Sequence, residues 1–114
     1  MISIQPISIS GLAAEMTTPW SPLDIVRVNS SIVRLVRLDG RFNWHEHAED
    51  ELFIGREGTF TIELEGDVRV PLGAGDCYLI PAGVRHRPVA AAPAYALLIV
   101  EPQTEHDFGV AGPA

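Results

Sequence analysis

The segment GRFNWHEHAEDELFIGREG, residues 40–58, carries two histidines two positions apart, His45 and His47, and a glutamate four positions beyond the second, Glu51. Side chains on a strand alternate between faces, so residues an even number apart share one. His45 and His47 therefore project together, and Glu51 rejoins them if the intervening turn keeps the phase. Period-two patterning then runs from Leu52 to Arg56, and Phe53 has the same parity as Glu51.

Working outward, further strand-like segments appear at Ile25 to Val28, Ile32 to Leu38, Phe60 to Leu64, Val68 to Leu72, Cys77 to Ile80 and Tyr95 to Glu101. They alternate apolar and polar residues over four to eight positions, the pattern of half-buried strands. Between them lie Asn29-Ser30, Asp39-Gly40, Glu57-Gly58, Glu65-Gly66-Asp67, Gly73-Ala74-Gly75 and Pro81-Ala82-Gly83, all suited to tight turns. Seven short strands at this spacing imply an all-β sandwich or barrel. Ile2, Ile4, Ile7 and Ile9 also alternate, interrupted by Pro6, and read as an edge strand leading into an irregular arm. Only Leu12 to Met16 suggests a helical turn. One domain over residues 1–114 is expected, with an N-terminal arm at 1–23 and the barrel at about 24–101.

His86 follows the rigid Pro81-Ala82-Gly83 turn, where an antiparallel fold can return it opposite the first histidine pair. Three imidazoles and one carboxylate suit a divalent transition ion such as Fe, Mn, Ni, Zn or Cu, with positions left for water or substrate. A His-x-His pair also arises as a coincidental surface pair, and Glu46, Glu49 and Asp50 read equally well as a solvated acidic loop. The aromatics Trp44, Phe42, Phe53, Phe60 and Tyr78 are candidates for a pocket over the ion, although barrel aromatics are mostly packing. Arg34, Arg37 and Arg85 are candidates for holding an anion, although arginines on such strands mostly face solvent. Cys77 reads as a small buried hydrophobe, and His106 as a solvated tail residue.

The spacing Gly40-x4-His45-x-His47-x3-Glu51-x6-Gly58 resembles the first sequence motif of the cupins, and Gly75-x5-Pro81-x-Gly83-x2-His86 resembles the second. The similarity covers roughly residues 30–101, and the surrounding residues are similar to the mannose-6-phosphate-isomerase-like cupins. Four residues separate Gly40 from His45 where the family usually has five, and Ala90 stands where an Asn is usual. The resemblance implies a double-stranded β-helix, the cupin jelly-roll barrel, with His45, His47, Glu51 and His86 as ligands of one divalent metal per chain. It also implies a homodimer, in agreement with the apolar arm.

Charge narrows the function further. The chain carries a formal net charge of −7, which disfavours a nucleic-acid partner because such binding draws on clustered positive charge. All eight basic residues are arginines, so no lysine can form a Schiff base. One cysteine permits no internal disulfide, and no stretch approaches the roughly 20 apolar residues of a membrane span. A cytoplasmic protein with a small-molecule ligand is expected. Two functions remain open: a metal-dependent enzyme of isomerase, lyase or dioxygenase type acting on a small polar or anionic metabolite, and a binding protein without turnover.

Overall fold

The computed structural model of the chain describes residues 2 and 4–102. A short helix, α1 (Ile9–Glu15), precedes seven strands: β1 (Leu23–Val28), β2 (Ser31–Arg41), β3 (Glu51–Glu57), β4 (Phe60–Leu64), β5 (Val68–Leu72), β6 (Cys77–Ile80) and β7 (His86–Val100). All pairings are antiparallel. The sheet runs β1-β2-β7-β3-β6, with β4 joined to β5 and β7. This is the jelly-roll barrel that the motifs imply.

Strand β7 holds the architecture together. It pairs with β2 along most of its length, while its other edge pairs first with β4 and then with β3. The change of partner coincides with exposed Ala91, Ala92 and Pro93, where the register against β2 slips between Leu38 and Gly40. The first half of β7 was not visible as a strand, because Pro88, Pro93 and the alanine run between them break any alternation. Proline is tolerated at such bulges and corners. Ala90 is 1% exposed and packs in the core, so the missing Asn leaves an apolar contact instead of a polar one.

Alternation fills the barrel from β2 (Ile32, Val36, Leu38), β3 (Phe53), β4 (Phe60, Ile62) and β7 (Ala94, Ala96, Leu98), as the parity of each strand requires. At Gly55 the barrel admits no side chain. A Cβ there would lie 2.0 Å from the carbonyl oxygen of Gly73, and Gly55 itself bonds through its backbone to Asp76 and Gly75.

The N-terminal arm differs from expectation. No described residue of the arm before Leu23 lies in a strand; instead Ser8 caps α1, its hydroxyl accepting from the Gly11 N–H at 3.0 Å. Ile9, Leu12, Ala13 and Met16 are spaced three, one and three residues apart, which places them on one helical face, and that face covers Leu35 and Tyr95 outside the sheet. Pro6 ends the alternation, and the helical spacing begins just after it. Arg56 reaches Ser10 and ties the helix to β3.

Three further readings are corrected. Cys77 is exposed, because Tyr78 and Ile80 take the inward parity of β6 and its outer face is uncovered. Arg34 is 1% exposed on the inner parity of β2, where it pairs with Asp24 at 2.8 Å. Arg37 is half-buried and donates to the Tyr95 hydroxyl at 2.6 Å, so only Arg85 of the three candidate arginines stands in solvent. His106 lies outside the described residues.

Candidate metal centre

The segment before β3 and the start of β7 meet through a backbone bridge: His45 N–H donates to His86 O at 3.0 Å, and His86 N–H donates to His45 O at 2.9 Å. The turn at Pro81-Ala82-Gly83 clamps the rest of the loop. Gly83, at φ 79°, donates its N–H to His47 O at 2.9 Å, and the Ala82 N–H donates to Asp50 Oδ1 at 2.8 Å. Asp50 therefore has a structural task in what the sequence alone shows only as an acidic loop. These contacts bring His45, His47, Glu51 and His86 together, one ligand atom from each lying within 4.8 Å of the others.

The tautomers follow from the backbone. Each Nδ1 faces a carbonyl oxygen: His45 that of Asn43 at 2.8 Å, His47 that of Glu49 at 2.9 Å, and His86 that of Val84 at 2.8 Å. A carbonyl only accepts, so each Nδ1 carries a hydrogen and the neutral ring presents its lone pair at Nε2. Yet the Nε2 atoms of His47 and His86 stand 3.2 and 3.3 Å from Glu51 Oε1, itself an acceptor. Acceptors facing one another in a buried site require a positive charge between them, either a proton or a metal ion. The other carboxylate oxygen, Glu51 Oε2, is buried without a hydrogen-bond partner among the described residues. Leaving such a group unsatisfied is costly, and an ion bound to the four residues satisfies it. The donor set fits a metal.

The electrostatics agree. Burial pushes the Glu51 carboxyl up, but with a proton on the neighbouring rings, hydrogen bonds and charge from His47 and His86 together outweigh it and bring its pKa down to about 2. Burial lowers His45 below the ordinary imidazole value, more than its hydrogen bond to Asn43 raises it. Both shifts keep the ligands in the deprotonated forms that metals bind. His45 is half-buried while the other three are buried, so the site opens on the His45 side.

The aromatic residues separate into three roles. Phe42 packs edge-on against His45 with centroids 5.2 Å apart, and Trp20 backs it at 5.0 Å. Phe53 and Phe60 are core residues 6.0 Å apart, and Tyr78 packs on the same cluster. Trp44 faces away from the barrel interior, under the guanidinium of Arg87 at 4.8 Å. Trp20 was missed in the sequence because it sits in an irregular turn at φ 60°, held by its Nε1–H to Asp39 O at 2.9 Å. No local pattern signals such a contact.

Comparison with known proteins supports the same architecture. A protein of Shewanella frigidimarina NCIMB 400 containing a cupin-2 domain is 38% identical, with a TM-score of 0.80 over 83% of this chain and 93% of that one. Protein NMB1881 of Neisseria meningitidis is 25% identical, with a TM-score of 0.76 over 85% of this chain and 99% of that one. The uncharacterized protein YdbB of Bacillus subtilis strain 168 is 36% identical over 81 residues, 70% of this chain and 72% of its own length. Residues 34–100 match the family model for the cupin domain. With that match spanning more than half its length, and with strands, turns and inward ligand candidates all falling where the two motifs require, the chain belongs to the cupin family.

Proposed function

We propose that His45, His47, Glu51 and His86 hold one divalent transition metal ion per chain, and that the protein is a metal-dependent enzyme acting on a small polar or anionic metabolite. One observation carries this reading: three histidines, each held at Nδ1 by a backbone carbonyl, converge on one buried carboxylate, with His47 and His86 turning Nε2 to Glu51 Oε1 and a ligand atom of His45 within 4.8 Å of the others. Bound there, a divalent ion supplies Lewis acidity to a carbonyl or carboxylate oxygen of the substrate.

The chain's own residues set the conditions. Half-buried His45 leaves the approach for a ligand, and Phe42, edge-on to His45, keeps water from one side of it. The fold leaves isomerase, lyase and dioxygenase chemistry all open. It also carries a hydroquinone 1,2-dioxygenase, PnpCD, at 20% identity and TM-score 0.68, a likeness of fold alone.

One observation favours a second reading, a binding protein without turnover. Besides three of the four proposed ligands, Arg34 is the sole buried charged side chain among the described residues, and it is paired to Asp24. Among the described residues no additional buried carboxyl or imidazole stands ready to move a proton. Metal analysis of protein prepared without added nickel or zinc tests the ion. A metabolite screen by thermal shift, followed by assay of the stabilising compound for conversion with and without air, separates the two readings. Saturation without conversion supports the binding protein, and conversion that needs air supports a dioxygenase. Absence of any bound transition metal overturns both forms of the metal reading.

A further inference from the structure

A cleft of about 430 Å³ lies against Trp44, Arg85 and Arg87, the sequence neighbours of His45 and His86, and none of the four proposed ligands lines it. Its size falls within the range of small-molecule sites, roughly 300–1,000 Å³. Its lining contains Arg69, Arg85 and Arg87 against Glu63, Glu65 and Asp67, so it is locally neutral in a chain of net charge −7.

The three arginines are not equivalent. Arg87 Nε donates to Glu63 Oε1 at 2.7 Å, and Arg69 approaches the other oxygen of Glu63 at 3.8 Å. Arg85 differs. Its backbone is fixed by two bonds to Glu65, the N–H donating to Oε1 at 3.3 Å and the carbonyl accepting from the Glu65 N–H at 3.0 Å. Its guanidinium lies 6.0 Å from the Trp44 ring centroid and makes no ion pair with a described carboxylate. A cation held beside an indole without a counterion is suited to a carboxylate, which a guanidinium grips through two parallel hydrogen bonds. Arg87 lies over the same ring at 4.8 Å, and the rest of the indole gives the cleft an apolar wall beside the two guanidinium groups. Glu65 and Asp67 on the rim only accept, so they favour a ligand that brings hydroxyl groups.

We propose that this cleft is a second ligand site, independent of the barrel ion, for a hydroxylated cyclic carboxylate. The carboxylate sits on Arg85, the ring packs against the Trp44 wall of the cleft, and the hydroxyls donate to Glu65 or Asp67. This goes beyond the metal reading and does not rest on it. Two sources share the chemistry, aromatic hydroxy acids and sugar acids.

The test uses the two tryptophans, Trp20 and Trp44, whose indole N–H resonances are followed in ¹⁵N-labelled full-length protein and assigned through Trp44→Phe. Trp20, bonded to Asp39 O and packed on Phe42, serves as the internal reference. We titrate 3,4-dihydroxybenzoate and glucuronate separately, before and after treatment with a chelator. A saturable shift of the Trp44 resonance, with Trp20 unmoved, is expected in both preparations, and the probe that produces it identifies the source. Arg85→Ala should weaken binding at least about tenfold, as losing a charge-assisted pair implies, while melting temperature and metal content stay as in the wild type. The proposal is overturned if neither probe moves Trp44 at millimolar concentration, if Arg85→Ala binds as the wild type does, or if chelation abolishes binding.

Discussion

Replacing His86 by Ala separates the ion from the fold. His86 is fully buried, and its ring nitrogens face Val84 O at 2.8 Å and Glu51 Oε1 at 3.3 Å. Truncation leaves a buried carbonyl short of its donor, at a cost of about 1–3 kcal/mol. The backbone bridge to His45 survives, because it uses only main-chain atoms. The variant should therefore fold, melting lower by roughly 4–8 °C for each kcal/mol lost. Metal binding suffers more. Losing a group that merely orients a ligand typically costs about 10–100-fold in affinity, so losing a coordinating nitrogen should cost about 100-fold or more. Elemental analysis after dialysis should show about one transition metal per chain in the wild type and a small fraction of that in the variant. Added metal should raise the melting temperature of the wild type, by about 2.7 kcal/mol of stability at a hundredfold excess over Kd, and leave His86→Ala nearly unmoved. Glu51→Gln should weaken binding less, since the amide oxygen still coordinates. Full metal content in both variants would show that the ion sits elsewhere.

Three other outcomes are expected. The depressed values of His45 and of Glu51, the latter about 2, each contribute to the pH response of the metal-free protein. A group with a depressed folded pKa stabilises above its unfolded value and loses that contribution as pH falls; stability should therefore drop first below about 6.5 through His45 and again between about 4 and 2 through Glu51, as followed by denaturant titration across pH. Gly55→Ala should destabilise the fold by about 1–3 kcal/mol or more, because its Cβ would sit 2.0 Å from Gly73 O; chemical denaturation measures this, and an unchanged midpoint would contradict the close approach. Light scattering should give a homodimer that weakens when residues 1–7 are removed, since Ile2, Ile4 and Ile7 are 88, 89 and 54% exposed and the edge strand β1 also exposes Val26 and Val28; a monomer unaffected by the deletion would refute the role of the arm.

Much of this was legible in the sequence because the information was periodic. Alternation reveals a strand wherever one face is buried and the other wet, and all seven strands announced themselves this way. The even spacing of His45, His47 and Glu51 likewise predicted one shared face. Legibility ended where alternation ended. The first half of β7 packs through alanine and proline, which carry little contrast between faces. The arm reads as a strand from its isoleucines until the spacing of Ile9, Leu12, Ala13 and Met16 is measured against 3.6 residues per turn.

Arg34 and Trp44 mark a different boundary. Arg34 shares the inner parity of β2 with Ile32 and Val36, although arginines on such strands are expected to face solvent. It stays because Asp24, its register partner on β1, supplies a carboxylate at 2.8 Å, and that pairing depends on a hairpin register that slips by a residue after Asp24. Trp44 and Arg85 lie about forty positions apart in sequence and meet only because His45 and His86 form a bridge. Side chains flanking two bridged residues are brought together on the opposite face by the same two hydrogen bonds. Contacts of this kind depend on register between distant segments, and a register becomes visible only when the sheet is built. The metal ligands escape that limit because their chemistry is unusual enough to be noticed before their partners are known, whereas an arginine beside a tryptophan becomes notable only once the two are seen to share a cleft.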